Sequence, residues 1–409
     1  MKPTRRKILS AIALAAAVPS AFAAAVPSAF AEKKYGPGVS DSEIKIGNIA
    51  PYSGPASAFA AVAKTEAAYF QMVNEQGGVR GRKINFVSYD DGYSPPKTVE
   101  QARKLVESDE VFLLFNVIGT PGNAAIQRYV NARKVPHLFI SSGGNRWNDP
   151  KNFPWSMTWW PAIRAESRVY AKYILQNHPG KRIGILYQND DLGKDYLTGL
   201  REAFGADAAK LIAVAVPYEL TDPTVDSQVV RIRSANPDIF INITTPKFAV
   251  QAIRKVGELG WKPIHFVSMV AQSTSNVMRV AGFEHAQGII TAGYLKDPGD
   301  PALKDDPGVV KFKAFMAKYY PDGDREDTLT IFGYGAARAL VQVLAECGDD
   351  LTRENVMRKM TSLNLESDVF LPGIRITTSA NDYSPIKQMR LMRFTGQRFE
   401  RFGSLLDSN

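Results

Sequence analysis

The side chains able to do chemistry in this chain are few, and they are not arranged for catalysis. Its four histidines, His137, His178, His265 and His285, lie far apart. None is paired at metal-ligand spacing, which predicts structural or surface roles. Asp90-Asp91 and Asp190-Asp191 are paired carboxylates. Each pair ends a strand pattern or starts a loop, where turn and helix-capping roles outweigh acid–base work. The one cysteine, Cys347, stands between Leu344-Ala345-Glu346 and Gly348, a helix-end pattern. It has no partner for a disulfide and no nearby basic group to lower its pKa, so it reads as a small buried hydrophobe. An HExxH pair, a GxSxG elbow and a GxxxxGKS/T phosphate loop are all absent. Gly333-Tyr334-Gly335 begins like a dinucleotide loop but lacks the third glycine and sits in a helix pattern. Close helix packing is the expectation there. No catalytic residue, metal site or cofactor is expected.

A row of small loops is more informative. Ser53-Gly54-Pro55, Gly119-Thr120-Pro121-Gly122, Ser141-Ser142-Gly143-Gly144-Asn145, Asn189-Asp190-Asp191-Leu192-Gly193 and Thr244-Thr245-Pro246 each follow a strand pattern. Open α/β sheets bind ligands at the carboxyl ends of their strands. Free N–H groups at a helix start attract an anion such as a carboxylate. Two or three charge-assisted hydrogen bonds, each about 1.5–3 kcal/mol, account for most of a micromolar affinity of about −8 kcal/mol.

Those loops need elements to hold them. Residues 44–49 read as a strand. Phe59, Val62, Ala63, Ala67, Phe70 and Val73 recur at helical spacing up to Gly77-Gly78. Residues 83–89 alternate as a strand and 98–106 read as a helix. The apolar run 111–118 suits a strand covered on both faces. A helix at 123–132 and a strand at 136–140 follow. Residues 142–161, rich in Gly, Pro, Asn and Trp, break the pattern. It then restarts with helices at 165–175, 195–204, 224–234 and 248–259. Strands alternate with them at 182–187, 213–216, 238–243 and 265–269. Two successive βα blocks imply an α/β protein with two parallel sheets, helices on both faces. Residues 374–377 and 388–394 alternate as antiparallel strands before a short tail. The acids of loop 297–308 fit no calcium-loop spacing, so a solvated loop is expected.

The chain has 409 residues and a net charge of +9. Lys2, Arg5, Arg6 and Lys7 open it, an apolar stretch runs over 8–18, and Ala21-Phe22-Ala23 and Ala29-Phe30-Ala31 offer small-residue exits. That is the layout of a cleavable export signal, cut after Ala23 or, by preference, Ala31. Residues 4–9 also carry a twin-arginine pattern, which an ordinary basic start explains as well. No cysteine follows either cut, so a lipid anchor is not expected. The signal holds four positive charges and no acid, leaving +5 scattered over the remainder. Nucleic-acid binding is not expected of such a surface. Past residue 31 no apolar run nears the roughly 20 residues of a membrane helix, and the 45% apolar content suits a globular core of two or three domains.

Taken in order, the loops and signal resemble the type I periplasmic solute-binding proteins, close to the leucine/isoleucine/valine-binding proteins of ABC importers. The resemblance covers essentially the whole mature chain. Its best pieces are residues 46–55 (IGNIAPYSGP), 74–81 (NEQGGVRG), Tyr89-Asp90-Asp91, Gly119-Thr120-Pro121, 187–193 (YQNDDLG) and Asn236-Pro237-Asp238. It implies two doubly wound parallel-sheet lobes joined by three crossings: signal 1–31, lobe 1 at 32–158 plus 294–384, lobe 2 at 159–293 plus 385–409. It also implies a non-enzymatic, monomeric periplasmic protein that hands solute to membrane permease subunits.

Position by position, the resemblance puts ligand contacts at Phe59, at Gly119, Thr120 and Pro121, and at Gly143, Gly144 and Asn145. In the far lobe it puts them at Leu192, Thr245 and Val270. Of Trp155, Trp159 and Trp160 at the first crossing, Trp160 is taken as a ligand contact, with interlobe packing the equal alternative. The family's frequent first-lobe disulfide is replaced by Tyr93 and Ile118. Its far-lobe carboxylate is missing from residues 266–275 (FVSMVAQSTS). A desolvated ammonium without a counter-charge costs several kcal/mol, so a small organic carboxylate, aromatic in character, is expected. A branched-chain or other hydrophobic amino acid, kept open by Asp190 and Asp191, is the alternative, as is a ligand sensor of the same fold.

Overall fold

The computed structural model of the protein describes residues 33–407; the export-signal pattern lies outside them. A short strand β1 (Lys34–Tyr35) pairs in parallel with β12 (Asp350–Leu351). The first main sheet holds β2 (Glu43–Ala50), β3 (Lys83–Asp90), β4 (Leu113–Phe115), β5 (His137–Ile140) and β6 (Ser156–Thr158). Their spatial order is β3-β2-β4-β5-β6, parallel throughout. The second holds β7 (Ile183–Gln188), β8 (Ile212–Tyr218), β9 (Ile239–Ile243), β10 (Ile264–Val267) and β11 (Ile290–Gly293), all parallel. β13 (Asn364–Glu366) and β14 (Arg375–Thr377) form a separate antiparallel ribbon. β15 (Gln388–Phe394) and β16 (Phe399–Asp407) then join the second sheet antiparallel beside β11. The chain thus crosses between two α/β lobes after β6, after β11 and before β15.

Burial explains the strand sequences. Every residue of β9 (IFINI) is buried, as in a parallel sheet covered by helices on both faces. In the first lobe the covering helices are α1 (Ala60–Glu75), α2 (Pro95–Arg103) and α3 (Thr120–Ala132). In the second they include α4 (Ile163–Asn177) and α5 (Asp191–Phe204). α1 packs on the helix Thr328–Glu346. A Cβ on Gly333 would stand 2.6 Å from the Val62 carbonyl oxygen, so this glycine serves close helix packing. The rings of Tyr69 and Tyr334 meet edge to face at 5.2 Å in the same interface. Cys347 caps the helix end and is buried, which pushes its thiol up to about 12.

Several expectations need correction. The strand expected over 111–118 is ladder-paired only at Leu113–Phe115, because Asn116 takes a left-handed φ of 49° and breaks the run. Val111, Phe112, Val117 and Ile118 are buried all the same. The short tail is the nine-residue strand β16; its side chains are mostly exposed on the sheet edge, so apolar alternation is faint. Against the expectation that no apolar run past residue 31 nears membrane-helix length, the helix Thr328–Glu346 is long and apolar enough to cross a membrane, but it is mostly buried in the fold. Loop 297–308 is more than a solvated loop. Asp297, Asp300 and Asp306 each accept a backbone N–H, and Lys296 Nζ sits 2.8 Å from both Asp306 oxygens.

Candidate ligand-binding site between the lobes

The first-lobe wall is built at two helix starts. Gly119 precedes α3 with φ 100°, a conformation open to glycine. A Cβ there would also lie 2.5 Å from the Tyr93 ring. Tyr93 is itself left-handed, φ 63°, and is held by Asp91, which accepts the Tyr93 N–H at 2.8 Å and the Thr98 hydroxyl at 2.6 Å. Asp90 accepts from Ser53 and Gly92 in the neighbouring turn. Both acids serve the turn before α2, and neither caps that helix, whose N-cap is Ser94.

The hydroxyls of this wall are oriented by their partners. Ser142 Oγ accepts the Trp147 ring N–H at 2.9 Å and the Gly144 N–H at 3.3 Å. With both lone pairs used, its own hydrogen goes to Thr120 Oγ1 at 2.7 Å. The Thr120 hydrogen is left for another acceptor. Ser141 Oγ accepts the Trp160 ring N–H at 3.2 Å and keeps its hydrogen in the same way. At the start of α3 the Thr120 and Gly122 N–H groups precede the first intrahelical acceptor, and Pro121 has none to offer.

The second-lobe wall comes from α5 and the ends of β9 and β10. Asp190 caps α5, accepting from the Leu192 N–H at 2.9 Å and the Gly193 N–H at 3.3 Å, and Gln188 also donates to it. Burial raises its carboxyl above the ordinary value. Leu192 and Tyr196 project from the first turns of α5. Thr245 stands where its N–H donates to Tyr218 Oη at 3.1 Å. Met269 and Val270 follow β10.

Between these walls lies a cavity of about 30 Å³, room for roughly two waters, so a ring-bearing solute requires the lobes to part. Phe59, Gly119, Thr120, Gly143, Trp160, Leu192, Thr245 and Val270 line it. Three residues expected there do not: Pro121, Gly144 and Asn145. Pro121 turns into the first turn of α3. Gly144 is spent on Ser142, and Asn145 donates its N–H to Asp195 of the other lobe. Tyr93, Ile118, Ser141, Ser142, Pro161, Ile163, Tyr196 and Met269 line the cavity as well, beyond the residues the sequence leads one to expect. Ser141 and Ser142 were in a marked loop, and Tyr93 and Ile118 stood out as disulfide replacements, so those four had a signal. Of the tryptophans, Trp160 faces the cavity, while Trp159 packs between Phe139 and Phe370 at ring distances of 4.5 and 6.0 Å.

Among the described residues, no Asp, Glu, Lys, Arg or His lines the cavity. The nearby acids are engaged elsewhere: Asp191 pairs with Arg146 at 3.0 Å across the lobes, and Asp195 takes Asn145 and Arg164. His137 and His265 are both buried in sheet positions, and burial lowers each to about 3, so they stay neutral.

An uncharged cavity clasped by two α/β lobes, with helix starts and hydroxyls on one side, is the layout of a protein that encloses a small solute. The periplasmic binding protein family is matched over residues 43–398, and the chain belongs to it, with the type I fold. A Leu/Ile/Val-binding protein homolog 3 of Brucella melitensis is 23% identical over 305 residues, 68% of this chain and 75% of its own. Among solved structures, a branched-chain amino-acid ABC transporter protein from Thermus thermophilus with bound valine has a TM-score of 0.81 at 17% identity, covering 90% of this chain and 97% of its own. A solute-binding protein from R. palustris in complex with benzoate has a TM-score of 0.74 at 19% identity, covering 88% and 96%. The family is periplasmic and non-enzymatic, binding small molecules for ABC permeases.

Proposed function

We propose that this chain is the exported, monomeric periplasmic component of an ABC importer that captures a small aromatic carboxylate and hands it to membrane permease subunits. It performs no catalysis. The observation that carries this reading is the lack of any ionised side chain in the cavity lining. A zwitterionic amino acid would bury its ammonium there without a counter-charge, at a cost of several kcal/mol. A carboxylate needs only what the first lobe offers: the N–H groups at the start of α3 and the free hydrogens of Thr120 and Ser141. Phe59, Trp160 and Leu192 add apolar and aromatic surface to the lining. The benzoate-bound relative supports the same ligand class.

Thermal-shift and calorimetric screening tests it. Benzoate and phenylpropionate should raise the melting temperature with one site per chain, and leucine and valine should leave it unchanged. The reverse result would favour the amino-acid reading, to which the valine-bound relative points.

A further inference from the structure

Glu166 on α4 is fully buried behind the second-lobe wall of the cavity. Its Oε1 accepts the Met269 N–H at 2.8 Å and lies 2.5 Å from the Tyr170 hydroxyl. Its Oε2 meets the Tyr196 hydroxyl. Tyr196 and Met269 line the cavity and Glu166 does not, so it acts on the site through them. The groups facing it are Tyr170 from α4, Tyr196 from α5 and the Met269 amide from the loop after β10. The charged residues of its own helix are engaged elsewhere. Arg164 pairs with Asp195 and Glu202, while Arg168 and Lys172 line a separate surface groove.

The hydrogens in this cluster do not cover every contact. Tyr170 Oη accepts the Ala292 N–H at 3.1 Å and lies 2.9 Å from the Val267 carbonyl oxygen as well as beside Glu166. Having one hydrogen, it donates to one of those two oxygens. Tyr196 likewise stands between Glu166 and the Ser268 hydroxyl. An ionised Glu166 draws both phenolic hydrogens to itself. A protonated Glu166 brings a hydrogen of its own, and one phenol is then released to donate to Val267, to Ser268 or into the cavity.

We propose that Glu166 is a positioning residue through which capture of an anion in this cavity takes up one proton from solvent. The proposal rests on the reading of the ligand as a carboxylate. Protonation at Oε2 lets the Tyr196 oxygen accept the carboxyl hydrogen and frees the phenol's own hydrogen to turn from Glu166 toward the ligand. Burial places the carboxyl at about 7, so both forms are present near neutral pH. An anion beside Tyr196 disfavours the ionised form further. Linkage then requires anion affinity to fall as pH rises. A ligand with an ammonium group reverses that sign.

Calorimetry with benzoate, near pH 6 and near pH 8, in buffers of different ionisation enthalpy, reads both affinity and proton count. The expected result is proton uptake and a dissociation constant roughly tenfold higher at the upper pH. Glu166→Gln should abolish both the uptake and the pH dependence. Wild-type binding without proton uptake, or tighter binding at higher pH, overturns the proposal, and this reading stands even where Glu166→Gln folds poorly. Infrared spectra of the unliganded protein supply a second arm: a protonated-carboxyl band that titrates near neutral pH and is missing in Glu166→Gln. Benzoate bound with no such band overturns the role of Glu166 alone. The band present with no benzoate binding at either pH overturns the carboxylate reading and the anion coupling with it.

Discussion

The Asn145 N–H donates to Asp195 Oδ2 at 3.0 Å, a bond that runs from the first lobe to the second beside the cavity. A hydrogen bond to a charged group contributes about 1.5–3 kcal/mol, less here because Asp195 is partly exposed. It ties the two lobes together in the arrangement seen here. Asp195→Ala should therefore weaken benzoate binding about tenfold, mainly through faster release. Stopped-flow release rates check this, and small-angle scattering should show a more open population. An unchanged release rate would remove this bond from the closing energetics.

Thr120 tests the anion-holding wall. Thr120→Val keeps the shape and removes the hydroxyl, leaving the Ser142 hydrogen without its acceptor. Benzoate affinity should fall about tenfold, and Thr120→Ser should restore most of it. Equal losses in both variants, read by calorimetry, would point to a packing role for this side chain.

Gly119→Ala meets two obstacles at once, the positive φ and the Tyr93 ring 2.5 Å from the new methyl carbon. A destabilisation of about 1–3 kcal/mol is expected from urea unfolding. Tyr93→Ala in the same chain should relieve the steric part and leave the backbone part. Strict additivity of the two changes would show that the contact with Tyr93 does not matter.

The buried His137 accounts for part of the acid sensitivity. Its Nε2 lies 2.7 Å from Asn123 Oδ1, and burial lowers it to about 3. Below roughly pH 6.5 the unfolded chain binds a proton there that the fold does not, so stability falls as pH falls. His137→Gln keeps a donor to Asn123 and does not titrate. The slope of stability against pH, between about 6 and 4, should flatten by about 1.4 kcal/mol per pH unit. Asp297 and Asp327, each raised by burial to about 6, act in the opposite sense, since the fold binds their protons first. The difference between variant and parent in urea titrations therefore isolates the histidine.

Much of the fold is legible in the sequence because buried parallel strands are near-continuous apolar runs, as in β9, and α1 keeps its helical spacing from Phe59 to Val73. What hides is set by backbone or by edges. Asn116 ends β4 through a left-handed turn that residue type alone does not announce. β16, half in solvent, shows no apolar period. At the site, loops after strands pointed to the first-lobe wall, since Gly119 and Thr120 are small and polar where a strand ends. Tyr196 and Met269 were not legible. They sit inside ordinary helix and strand patterns, and only the meeting of α4, α5 and the β10 loop brings them to the cavity.

The helix Thr328–Glu346 covers α1, although the two lie near opposite ends of the chain. A nascent polypeptide therefore leaves Val62, Tyr69 and neighbouring apolar groups of α1 bare until almost all of it has been synthesised. The other face of the first sheet closes early, within residues 49–135, but the α1 face stays open, so chaperones have a wide window in which to engage it, and a ribosome stall before residue 328 yields a half-covered, sticky fragment.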